Sequence, residues 1–394
     1  MRSRRALRAA GVAAALMVAW LTGCLQTQAI TVEVRLVCDL VGSCGEGDFF
    51  FDNPEALETL QFATRAFEPF ADSLSAVTVS PMASFQNPDT GAIGFGISNL
   101  FVQAETVIVY AGGRDLPDGQ VGAAGPGTPL NTFDRGQGVV TGAGATDFAP
   151  WGGAIAFDTT ALDGSDRNWN FGIQNEPAPG QVDFLSVALH ELGHLFGFGT
   201  ADSFANQVVD NAFEGSTSVG LYGEPVPTFP DGQNVDQHWG NGLTSPPYAN
   251  EPRVALGRSI VSGRRTVLSP VDYAAFDDIG WEVPPQLLGL QGNSDNDADV
   301  DGSDFLAWQR GSGLTGVGAA LGDLSGDTDV DDYDLWLWAQ NFGATAAASS
   351  TATSFVVPEP STASILALAI GGILVWRRRR GLTRSAGPFS SSAS

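Results

Sequence analysis

The chain has 394 residues, long enough for two or three domains. Its 44 acidic and 19 basic residues give a formal net charge of −25, which excludes nucleic acid as a partner for the body of the protein. With 49 glycines and nine tryptophans, the composition suits an exported, loop-rich, partly β protein with an affinity for cations.

Arg2, Arg4, Arg5 and Arg8 precede an apolar run from Ala9 to Leu21, too short for a comfortable membrane span. A charged segment, an apolar segment and then small residues predict a signal peptide over residues 1–29. Two processing routes stay open: Leu21-Thr22-Gly23-Cys24 resembles a lipobox that makes Cys24 the lipidated first residue, and cleavage near Ala29 releases a plain N-terminus. Cys38 and Cys44 remain in the mature chain, and in an oxidising compartment they are expected to pair.

Ile30–Val37 reads as a strand. A helix follows, with Asn53 as its cap, Pro54 in its first turn, and Ala56, Leu57, Leu60, Ala63, Phe67 and Phe70 at helical spacing. From Leu74 to Gln181 the pattern is short strands and glycine-rich loops. Val107–Tyr110 and Gly153–Phe157 carry the strongest strand signals.

Asp183–Thr200 predicts a second helix. Asp183 suits the N-cap, and Phe184, Leu185, Ala188, Leu189, Leu192, Leu195 and Phe196 form a broad apolar stripe. Gly197 and Gly199 stop it. Within it, His190-Glu191-Leu192-Gly193-His194 is an H-E-x-x-H signature: two imidazoles one turn apart for one metal ion, with a carboxylate beside them for proton transfer.

The order helix, mixed sheet, histidine helix resembles metzincin-type zinc peptidases. The resemblance implies an α+β metzincin-like domain over residues 30–285, a Zn²⁺ cofactor, Glu191 as general base and an edge strand over the cleft. Chain order assigns that edge to Gly153–Phe157, where an extended peptide substrate adds by backbone pairing. The family pattern continues to a glycine, here Gly197, and a third histidine, here replaced by Thr200. That departure resembles the leishmanolysin-like branch, in which the third histidine lies downstream after an insertion. His238, in Asp236-Gln237-His238-Trp239, then becomes the third zinc ligand, with Asp202 as the runner-up. Cys38 and Cys44 have one sharper alternative, a thiolate that caps the metal in a latent form. Ala255–Ile260 stands where the family has its methionine turn; it has no methionine, and Leu256 is its apolar replacement. Leu268–Trp281 resembles the closing helix, and Pro284-Pro285 ends the domain.

Residues 290–345 contain two acidic repeats, with Trp308 and Trp338 at the same offset and Gly311 and Gly343 closing each unit. Alternating oxygen side chains suit a hard cation. The pair resembles a dockerin type I module, all-α and EF-hand-like, binding Ca²⁺ and a cohesin-like partner. The resemblance assigns side-chain ligands Asn293, Asp295, Asp297, Asp301 and Asp304 to the first loop. In the second loop they are Asp323, Ser325, Asp327, Asp331 and Asp334. Asp299 and Asp329 offer backbone oxygens, and Ala298 and Thr328 replace the usual loop glycine.

A linker (346–356) leads to Val357-Pro358-Glu359-Pro360, an apolar run and Arg377–Arg380. Residues 357–381 resemble a PEP-CTERM sorting tail. Such a tail implies transient anchoring in the inner membrane, recognition by an exosortase-type enzyme, and delivery to the cell surface or secretion. Residues 382–394 read as disordered. The sequence therefore predicts an exported zinc endopeptidase. The alternative is a catalytically inactive, surface-sorted adhesion or assembly protein that uses the calcium module to bind its partner.

Overall fold

The computed structural model describes residues 29–129, 135–229, 237–248 and 254–346. The signal peptide up to residue 28 with Cys24, almost all of the linker, the sorting tail and the C-terminal tail lie outside the described residues. The described residues form a mixed α+β structure with several small sheets.

The principal sheet has the order β1 (Thr31–Leu36), β4 (Thr106–Arg114), β6 (Gly152–Asp158), β5 (Gly122–Pro126). The first three strands run parallel and β5 closes the edge antiparallel to β6. Parallel strands are covered on both faces, which is why β4 is apolar without alternation. Val107, Val109 and Ala111 pack towards the helices. Ile108 and Tyr110 pack beneath the antiparallel hairpin of β2 (Val77–Phe85) and β3 (Phe95–Val102).

The expected edge strand, Gly153–Phe157, is an interior strand, fully buried between β4 and β5. The edge is Gly122–Pro126, whose Gly-Ala-Ala-Gly-Pro sequence carries almost no strand propensity of its own.

Helix α1 runs over Pro54–Thr64, shorter than its apolar spacing predicts. Phe67 and Phe70 lie beyond it in tight turns, with Phe67 N–H donating to Thr64 O (2.9 Å) and Phe70 N–H to Phe67 O (3.0 Å). Three-residue turns keep nearly the helical period, so both rings stay fully buried against Phe276. Asn53 occupies the N-cap position but caps nothing; its amide donates to Phe49 O (2.8 Å), at the end of a short preceding helix. Cys38 and Cys44 are joined as a disulfide, which removes the thiolate cap from consideration.

Helix α2 (Phe184–Leu195) and helix α3 (Pro270–Asp278) complete the central layer. The acidic repeats contribute α4 (Gly302–Gly311) and α5 (Asp332–Asn341). They do not form a separate body after Pro284-Pro285. Tyr333, Trp336 and Leu337 of α5 enter the same core as α1 and α3. Phe62 meets Tyr333 and Trp336 edge-on, with ring centroids 5.4 and 5.2 Å apart. Arg65 lies over the Tyr333 ring and pairs with Asp331 and Asp332. The repeats are tied to each other by exchanged bonds: Trp308 Nε1 donates to Asp331 O (2.6 Å), and Trp338 Nε1 to Asp301 O (2.8 Å). The described segment ends where Thr345 and Ala346 bridge to Asp299 and Tyr248.

Asp72 is a buried acid whose Oδ2 finds no partner among the described residues. Burial, reinforced by Asp147, Glu282 and Glu105, pushes its carboxyl up to about 9. A folded-state value raised above the unfolded value near ~3.9 gives stability that is complete at low pH and declines as pH climbs towards 9. Asp72→Asn keeps the shape and removes this titration. Its melting temperature is expected to exceed that of the parent by a margin that widens from pH 5 to pH 9, at about 2–4 °C per kcal/mol, as read by calorimetry. A constant margin contradicts the assignment.

Candidate functional site

Helix α2 begins as the sequence predicts. Asp183 accepts from Ser186 N (3.1 Å) and from Ser186 Oγ (2.7 Å). Arg265 grips the same carboxylate through Nε (3.0 Å) and a terminal nitrogen (2.9 Å), fixing the helix start to the loop at Gly172–Ile173. Gly197 and Gly199 take φ of 107° and 70° and end it. Gly199 also permits a close approach: a Cβ there would lie 2.7 Å from the backbone of Gln237. The segment carrying His238 therefore reaches the end of α2.

His190, His194 and His238 converge. His194 Nε2 lies 3.2 Å from His190 Nε2 and 3.3 Å from His238 Nε2. His190 and His194 are buried, and His238 is partly buried. His190 Nδ1 donates to Ala255 O and His194 Nδ1 to Phe198 O, both at 2.9 Å. A carbonyl only accepts, so each Nδ1 carries the proton and each Nε2 presents a lone pair inward. Burial lowers the pKa of both rings, which keeps them neutral. Converging lone pairs repel unless a cation lies between them. Tetrahedral zinc with Zn–N bonds of ~2.0–2.1 Å separates its nitrogens by about 3.3 Å. The donor set fits that ion.

Neither residue near the end of α2 competes for the position. Thr200 Oγ1 donates to His194 O (2.6 Å), and Asp202, the runner-up ligand, accepts from Gly142 N (2.6 Å) away from the trio. Leu256 is fully buried against Gly193, on the side expected for the apolar floor.

Glu191 projects towards the edge strand. Its carboxyl accepts from Ala124 N–H, and burial pushes it up to about 8. A Cβ at Gly122 would lie 2.6 Å from Glu191 Cγ, so only glycine leaves room for this side chain.

The closing-helix expectation for Leu268–Trp281 gave no role to Asp272. This carboxylate is fully buried. It accepts from Trp239 Nε1 (2.9 Å), Ala255 N (2.9 Å), Leu256 N (3.1 Å), Ser269 N (2.8 Å) and Ser269 Oγ (2.7 Å). One anion thus ties the His238-Trp239 segment to the turn whose carbonyl orients His190. A Ser-x-x-Asp capping box at Ser269 was the available signal.

The acidic loops fold as matched units. Asp304 accepts from Ser294 N (2.7 Å) and Asp301 N (2.7 Å); Asp334 accepts from Leu324 N (2.8 Å), Ser325 N (2.9 Å) and Asp331 N (2.8 Å). Asp297 and Asp327 accept from Asp299 N and Asp329 N, and Asn293 Oδ1 from Asp297 N. Asp295 accepts weakly from Asp297 N, and Ser325 Oγ from Asp327 N. Asp301 and Asp331 cap α4 and α5. Burial pushes Asp323 and Asp334 up to about 6 and 7. Oxygen-only donors, with Asp304, Asp323, Ser325 and Asp334 buried and the others half-buried or exposed, fit a hard cation. Thr328 takes the left-handed conformation (φ 76°) at the position of the usual loop glycine, whereas Ala298 does not.

Residues 356–380 match the PEP-CTERM protein-sorting motif. The match lies one residue upstream of the predicted tail and outside the described residues. The chain is thus exported and sorted at its C-terminus, and the motif implies recognition by an exosortase-type enzyme. No curated protein matches the chain. Among the described residues, no helix is long and apolar enough to cross a membrane.

Asp272→Ala leaves five buried donors without their acceptor. The expected loss is on the order of 3–5 kcal/mol, read as a lower urea midpoint; a change below 1 kcal/mol removes Asp272 from this role.

Proposed function

We propose that this chain is an exported zinc-dependent endopeptidase of the metzincin type, in its leishmanolysin-like branch. The observation that carries the reading is the convergence of three histidine Nε2 atoms, that of His194 lying 3.2 and 3.3 Å from the other two, beside a buried carboxyl that lies against a sheet edge. His190, His194 and His238 hold the ion. Zinc bound there supplies Lewis acidity towards a substrate carbonyl and lowers the pKa of water to about 7.

The chain's own residues supply the remaining steps. Strand β5 aligns an extended peptide through its unpaired backbone groups. The small side chains of Ala123 and Ala124 let that peptide lie close. Glu191 takes the proton from the attacking water and returns it to the leaving amine. The carbonyls of Ala255 and Phe198 keep His190 and His194 in the tautomer that ligation requires.

The acidic repeats act in this reading as a dockerin-like module that holds Ca²⁺ in each loop. Since α5 is committed to the body, α4, with Leu306 exposed, is the side that meets a cohesin-like partner. Processing near the Pro-Glu-Pro releases the protein to the cell surface or the medium.

Glu191→Gln is expected to lower kcat on an unfolded protein substrate at least ~10²-fold while zinc stays at about one per chain; unchanged turnover removes Glu191 as the base, and a zinc-loaded parent that cleaves nothing leaves the inactive, sorted adhesion or assembly protein as the reading. His238→Ala is expected to lose the zinc, as read by atomic absorption. Calcium at ~100 times its dissociation constant is expected to add about 2.7 kcal/mol per site, seen as a higher melting temperature that a chelator reverses.

A further inference from the structure

The sheet face opposite α2 carries a pocket of about 180 Å³ between β5, β6 and the β2–β3 hairpin. Its floor is made of small residues, Ala123 and Gly125 of β5 with Ala154 and Ala156 of β6, and Gln86 and Arg114 supply its polar groups. Arg114 closes β4. Ile108 and Tyr110 of that strand face the hairpin, and the two-residue period sends Arg114 to the same side.

Arg114 is an anomaly in a chain with 44 acidic and 19 basic residues. Among the described residues its side chain has no hydrogen bond or ion pair, and its Nε is buried without an acceptor. The acids around it are engaged elsewhere. Asp158 accepts from Leu116 N and pairs with Arg167, and Asp89 accepts from Gly113 N. Burial lowers the pKa of the guanidinium, with Asp158 only partly offsetting it. The half-buried guanidinium is thus left without an anion among the described residues.

We propose that Arg114 is a specificity residue, and that this pocket receives the side-chain carboxylate of an acidic residue in the bound peptide. The inference rests on the peptidase reading, because it takes β5 as the strand that aligns substrate. A peptide added to β5 lies one strand spacing farther out, about 4.8 Å, and alternate side chains fall on the Arg114 face. The Ala and Gly floor leaves their path open. Glutamate, one methylene longer than aspartate, spans the floor better and meets a planar fork that matches a carboxylate. The substrate class is therefore acidic, extended peptide.

The test uses the full zinc-loaded chain and peptides that differ only by Glu or Gln at one position, scanned along the sequence. At one position the parent is expected to prefer Glu by roughly tenfold in kcat/KM. Arg114→Met, a long uncharged replacement, is expected to bring that ratio to about one, and Arg114→Lys to retain part of it. A second measurement is independent of turnover: anisotropy of the labelled Glu and Gln peptides on the Glu191→Gln variant, with and without Arg114→Met. If no peptide is cleaved but Glu is still favoured in binding through Arg114, the peptidase reading fails and the acidic pocket stands. Equal binding and equal turnover of the Glu and Gln peptides, or a preference that survives Arg114→Met in a folded variant, overturns the proposal.

Discussion

The site depends on one buried negative charge, that of Asp272. A carboxylate in a low-dielectric interior is costly unless its lone pairs are met. Here five donors from three separate segments meet them. Because those donors belong to the His238-Trp239 segment, the Ala255-Leu256 turn and the start of α3, satisfying the charge brings the three segments into one arrangement. His238, 44 residues beyond His194, is located by this requirement. The Ala255-Leu256 turn holds its shape by the same bond set.

A second constraint acts through aromatic burial. The first helix, the closing helix and the last helix of the acidic repeats share a core in which Phe62, Phe67, Phe70, Tyr273, Tyr333 and Trp336 meet. The repeats are consequently part of the body's hydrophobic core, and Arg65 pairs with Asp331 and Asp332 of the second acidic segment. Asp331 serves helix capping, the arginine pair and one proposed ligand position together, so these effects are coupled.

Most of the site was legible in the sequence because its residues obey local rules. The histidine helix shows its cap, stripe and stop within one segment, and with three histidines in the whole chain only His238 was left to join the pair. The repeats announce themselves by register. The edge strand was not legible: Gly122–Pro126 has no alternation or branched residue, and it is a strand only because β6 offers it a partner. Gly153–Phe157 carries the stronger signal because it is more deeply covered. Asp272 was hidden for a related reason, since an acid in the first turn of a helix has an ordinary local explanation. Arg114 likewise looks like a plain polar strand end until the acids around it are seen to be taken.

The short bridges at Thr345 and Ala346 have a mechanical consequence. The sorting motif begins ten residues beyond Ala346 in the sequence, so any tension on the sorted end enters the body through these two residues. The load falls first on Asp299 and Tyr248. Asp299 sits in the first acidic loop, and the Tyr248 hydroxyl accepts from Gln291 N. Tension on the tether is thus borne by the repeat module before it reaches α2. A stiff first loop shields the histidine trio from strain while the C-terminus is being sorted, and a slack one passes that strain inward.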